Sequence, residues 1–212
     1  VLKVLPFLNL LFQAILFFSL FPFLFNKIEI GSEKKRIVYY ITFSTVVEIY
    51  VQTTIWGNLN NIVGTHFYYP LEFLFLFFML HEWETHYKKL WLISGMIVWS
   101  ILLIDNFYLT DFSTFPSFSA SLQNFYLFLF SARVFLIITT KNFIPFYRDD
   151  RFYAAAGIFV YSSLTTLMFL LYKVLNIILP YHVSAVIVIG ENALFLTSMI
   201  VQYKRQKLLS QV

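Results

Sequence analysis

The sequence predicts an all-α membrane fold, a polytopic bundle of seven helices, and three observations carry that prediction. Hydrophobic residues fill 59% of the 212 positions and charged residues only 12%, whereas an ordinary soluble domain is about 25% charged. Twenty-seven Phe and fourteen Tyr bring the aromatic share to 21%. One soluble core of this size cannot enclose that much ring surface, but lipid solvates it. Finally, seven apolar windows succeed one another along the chain, near or above the ~20 residues that cross a bilayer. Most lack the polar stripe that a soluble bundle helix needs.

The first window, 4–25, is too long an apolar run for a cleavable leader, and no small-residue cleavage pattern follows it. It is therefore expected to be a retained span. The second runs over 37–56. The third, 67–80, is short, is expected to extend at either end, and carries Pro70 in its first turns, where a missing N–H is tolerated. The fourth, fifth, sixth and seventh cover 90–108, 117–140, 152–175 and 180–203. The tail at 204–212 is too short for a further domain, so residues 1–212 are expected to form a single transmembrane domain.

Charge sets the orientation. Of fifteen Lys and Arg residues, twelve fall in the loops after the first, third, fifth and seventh spans. They are Lys27, Lys34, Lys35, Arg36, Lys88, Lys89, Lys141, Arg148, Arg151, Lys204, Arg205 and Lys207. Only Lys3 and Lys173 lie on the other side, and Arg133 is inside a span. The positive-inside rule then places the N-terminus outside and the C-terminus in the cytoplasm. The net charge of +4 is thus a topology signal, and no nucleic-acid partner is expected. The absence of cysteine excludes disulfides, thiolate metal sites and Cys nucleophiles.

Ionisable groups within spans are costly and mark a functional interior. Four stand out: Glu48, Glu72, Arg133 and Glu191. By position, Glu72 falls in the outer third, Glu48 and Glu191 near the midplane, and Arg133 in the inner half, placed to reach Glu48 or Glu191. Such a set is either a register-fixing ion pair or a ligand or ion site. In a helical run from Asn61 to Glu72, the residues His66, Tyr69 and Glu72 share one side. Asn58, Tyr68, Asp105, Asn106, Asp111, Asn124 and His182 add polar groups on the outer side. Acids without basic neighbours there favour a small polar or cationic ligand. For each residue alone, interfacial decoration is the competing reading.

Other chemistries fit poorly. In His81-Glu-Trp-Glu-Thr-His86 the two His are five apart, while a zincin needs four to put both on one face. No metal site is expected. A retinal Schiff base needs a Lys in the last span, and 180–203 has none. No cofactor and no catalytic residue set are expected. Glu72-Phe-Leu-Phe-Leu in the third span and Glu191-Asn-Ala-Leu-Phe-Leu in the seventh echo each other faintly, as three-helix repeats joined by a fourth helix would.

Asn61…His66-Phe-Tyr-Tyr-Pro-Leu-Glu72-Phe and Arg151-Phe-Tyr-Ala-Ala-Ala-Gly-Ile-Phe-Val-Tyr161-Ser-Ser resemble a group of small, uncharacterised bacterial seven-helix membrane proteins. The chain also looks similar to membrane input modules of bacterial sensor kinases, but ends without a kinase portion. The likeness implies architecture and a bacterial cytoplasmic (inner) membrane location more than an activity. Three functions remain open. The first is a ligand-sensing or accessory module with a polar site opening to the outer face, signalling to a membrane protein partner. The second is a small secondary transporter of three-plus-one-plus-three type, using Glu72 and Glu191, with Pro70 and Pro180 near matched span starts. The third is a lipid-acting enzyme with Glu72 or Asp105 as general base.

Overall fold

The computed structural model describes residues 32–56, 62–141, 145–175 and 181–209. Among them the chain is helical, with no strand. Six α-helices follow in order: α1 (Ser32–Trp56), α2 (Ile62–Trp83), α3 (Lys88–Ile104), α4 (Ser117–Lys141), α5 (Asp150–Leu175) and α6 (Tyr181–Leu209). The window 4–25 lies outside the described residues. Five stretches are long and apolar enough to cross a membrane, namely Ile62–Trp83, Lys88–Leu109, Ser117–Thr140, Asp150–Leu171 and Val186–Arg205. The protein is an integral membrane protein. In α1 the apolar stretch is shorter, Ile37–Val47, because Glu48, Gln52, Thr53 and Thr54 follow it.

The expected short third span is α2, with 22 residues, extended at both ends as foreseen. This lengthening corrects two placements. Pro70 sits in the third turn of the helix rather than the first, where its ring lies buried. Glu72 sits at the middle of the helix and not in its outer third. The carbonyl of His66 forgoes its main-chain donor at Pro70, a loss that surrounding helices make tolerable in a membrane bundle.

The connections are built by side chains that accept main-chain N–H groups. After α2, the buried Glu84 turns back and its Oε1 accepts the N–H of His86 at 2.8 Å and of Tyr87 at 3.1 Å. It thereby closes the turn that leads into α3. His81, Glu82 and Trp83 belong to the end of α2, and no group of three or more metal-binding side chains occurs among the described residues. At its other end α3 widens into a π-helical turn, Asp105–Leu109, closed by Thr110 N–H on Asp105 O at 2.9 Å. Asp105 explains the extra residue. Its carboxylate accepts the Thr110 hydroxyl at 3.1 Å and both the N–H and hydroxyl of Ser119, at 3.1 and 2.5 Å. The side chain thus ties the end of α3 to the first turn of α4, where a negative group is favoured.

Helix α2 is central, packing on α1, α3 and α4, while α5 pairs closely with both α4 and α6. Its core face is aromatic. Phe73 stacks on Phe77 at 5.6 Å, Phe77 tilts against Phe130 at 5.7 Å, and Trp91 stacks on Phe130 at 4.3 Å. Gly95 makes this possible, since a Cβ there would collide with the Phe77 ring. The α5–α6 seam is close at Gly157, where a Cβ would meet Glu191 and Leu194 of α6. Ser198 of α6 donates to Asp150 O at 2.7 Å, and Arg205 reaches the Asp150 carboxylate at 3.7 Å.

Candidate functional site

In the middle of the bundle, five helices contribute to one polar cluster. Glu72 of α2 is its centre and is fully buried. Its Oε1 accepts the hydroxyl of Tyr68 at 2.5 Å and that of Tyr161, from α5, at 3.2 Å. Its Oε2 accepts the amide N–H of Gln123, from α4, at 2.6 Å. On α6, Glu191 accepts the hydroxyl of Tyr40, from α1, at 3.4 Å. Tyr40 also lies close to Glu72, so both carboxylates have this ring as a neighbour.

Helical geometry explains why these residues meet. Tyr68 and Glu72 are four apart, one above the other on the α2 surface. Glu72 and Glu191 each lie about 15 Å from the starts of their helices, and α2 and α6 run in the same direction. Tyr40, Gln123, Tyr161 and Glu191 are at most 7% exposed, so the cluster is closed in this conformation. Tyr68 is the half-buried exception. Among the described residues no Lys, Arg or His pairs with either carboxylate. Two acids at this depth either stay protonated or need a positive partner.

Arg133 is not that partner. It pairs with Glu84 at 3.4 Å and lies 5.4 Å from the centre of the Tyr87 ring. This corrects its expected pairing with Glu191. The physical reason is longitudinal, because Arg133 lies toward the end of α4 that meets the α2–α3 turn. The Glu48 side chain and Asn61 lie outside the described residues. Glu72 and Glu191 are therefore brought together, while Arg133 belongs to the other end of α2.

His66 stands apart as well. Its Nδ1 is 2.8 Å from Asn106 O and its Nε2 3.0 Å from Thr114 O. Both ring nitrogens thus engage main-chain carbonyls of the α3–α4 connection. Phe112 packs on the same ring at 4.8 Å. In that connection Asp111 is fully exposed, and the Ser113 N–H at 2.8 Å holds its carboxyl below the usual carboxylate range. Tyr69 turns its ring against Phe115 at 5.7 Å and Tyr68 at 5.6 Å. Together these residues roof the cluster on the side of the α3–α4 turn. Asp105, a candidate base by sequence, spends both carboxylate oxygens on Ser119 and Thr110.

Sequence reasoning did not assign Tyr40, Gln123 and Tyr161 to the site. Tyr68 offered a signal, a Tyr four residues before an intramembrane Glu. No family model matches the chain, and no curated protein or solved structure is significantly similar to it.

Proposed function

We propose that the protein is a seven-helix module of a bacterial cytoplasmic membrane, N-terminus outside and C-terminus inside, that binds a small cationic ligand at the Glu72–Glu191 cluster. In this reading it senses that ligand, or serves as an accessory subunit for a membrane protein partner, without catalysing a reaction. The observation that carries it is the meeting of two carboxylates and three tyrosines with no basic side chain among the described residues. Carboxylates supply charge, and tyrosine rings add a face that attracts cations. The seven-helix count rests on the apolar window 4–25 together with the six helices, and the orientation on the asymmetry of Lys and Arg.

Secondary transport is the second reading. What favours it is the meeting of Glu72 and Glu191 at equal depth on helices of the same sense, where substrate sites of repeat-built transporters lie. Uptake of a cation into proteoliposomes that disappears in Glu191→Gln would select transport over sensing.

Binding itself is tested by thermal unfolding of the purified protein in sodium, potassium, choline or N-methylglucamine chloride. A ligand that binds only the folded state stabilises it by mass action, about 2.7 kcal/mol at a hundredfold excess over Kd. At least one of the first three salts is expected to raise Tm above the N-methylglucamine reference, and Glu191→Gln to cancel that rise. Identical Tm values in all four salts would remove the basis of the reading.

A further inference from the structure

Tyr68 belongs to two surfaces at once. Its hydroxyl lies on Glu72, while its ring stacks on Phe43 at 5.8 Å, and Phe43 packs on Phe75 at 5.1 Å. Tyr68, Leu71, Phe75 and Phe78 recur at helical spacing along one stripe of α2. The last three, with Leu74 and Tyr39 of α1, line an almost wholly apolar groove of about 460 Å³. Leu71 and Tyr39 are 44% and 58% exposed, so the groove opens sideways between α1 and α2. Its volume falls in the range of small-molecule sites, roughly 300–1,000 Å³.

We propose that this groove and the Glu72 carboxylate form one site for a cationic amphiphile, a lipophilic amine or quaternary ammonium. The proposal rests on the cation-binding reading above and names its ligand class. The apolar tail lies along Leu71, Leu74, Phe75 and Phe78. The cationic head lies beside the Tyr68 and Phe43 rings, where the Tyr68 hydroxyl yields its place on Glu72. Charge complementarity selects this occupant. A neutral chain fills the groove but leaves the carboxylates unbalanced, and an anionic headgroup is repelled by them. Tyr68 is the one half-buried member of the cluster, so it is the side chain that must swing for the head to reach Glu72. Approach from within the bilayer also removes the need for an opening at the outer face.

A photoreactive alkyltrimethylammonium with a diazirine in its tail tests this in lipid nanodiscs of zwitterionic lipid. Cross-linking is expected at Leu74, Phe75 and Phe78, displaced by dodecyltrimethylammonium and not by dodecanol. In Glu72→Gln the labelling should fall about tenfold or more, as expected for loss of a charge-assisted contact. Leu74→Trp, which fills the groove, should abolish labelling. Labelling that dodecanol displaces equally well, or that Glu72→Gln leaves unchanged, overturns the amphiphile site. If choline still stabilises the protein in that case, the small-cation reading survives alone. If neither choline nor the amphiphile acts, both fall.

Discussion

Glu72→Ala is expected to destabilise the folded protein by roughly 2–5 kcal/mol, because it strands three donors at once. Tyr68, Gln123 and Tyr161 all donate to this carboxylate from three helices. Each buried donor left without an acceptor costs about 1–3 kcal/mol. Hydrogen bonds between membrane helices sit at the low end of such values, on average about 0.6 kcal/mol, which pulls the sum down. Removing a buried charge works in the opposite direction by cancelling its desolvation. Glu72→Gln separates the two effects, since it keeps one acceptor oxygen and drops the charge. It should therefore lose less stability than Ala. Reversible unfolding in mixed micelles measures both, and an Ala variant as stable as the parent would mean that the three donors are satisfied elsewhere.

The second large effect is expected at the other end of α2. Glu84→Ala removes the acceptor for the His86 and Tyr87 N–H groups and the partner of Arg133. Each of the two lost main-chain hydrogen bonds costs about 0.5–1.5 kcal/mol. A destabilisation of roughly 1–3 kcal/mol follows, with faster amide exchange confined to the α2–α3 turn. Arg133→Ala should cost less, about 1 kcal/mol or under. The guanidinium side chain is 34% exposed, and solvent screens a pair that open. If the two variants prove equally damaging, the ion pair rather than the two main-chain hydrogen bonds holds the turn.

These two sites show where the sequence was informative. Length and hydropathy alone mark the spans, because only a helix satisfies its backbone in lipid. The short apolar window 67–80 understated α2, since the polar residues Asn61, Thr65 and His66 lie outside an apolar run although α2 begins at Ile62. His66 is buried there by bonding carbonyls of a connection some forty residues away, which no local pattern encodes. Glu72 and Glu191 were legible because acids within apolar runs are costly. Their neighbours were not, as Tyr40, Gln123 and Tyr161 look like any aromatic or polar residue of a span until tertiary packing selects them. Arg133 went to Glu84, an acid outside every apolar window that is nevertheless buried.

The central claim is that Glu72 and Glu191 belong to one cluster linked through Tyr40. A double-mutant cycle of Glu72→Gln and Glu191→Gln, with Tyr40→Phe as the third corner, tests it most directly. Residues sharing one hydrogen-bond network couple by about 0.5–3 kcal/mol, while distant ones add within about 0.3–0.5 kcal/mol. The predicted result is a Glu72–Glu191 coupling above about 0.5 kcal/mol that shrinks when Tyr40 is Phe. Strict additivity of the two substitutions, with or without the Tyr40 hydroxyl, would contradict it.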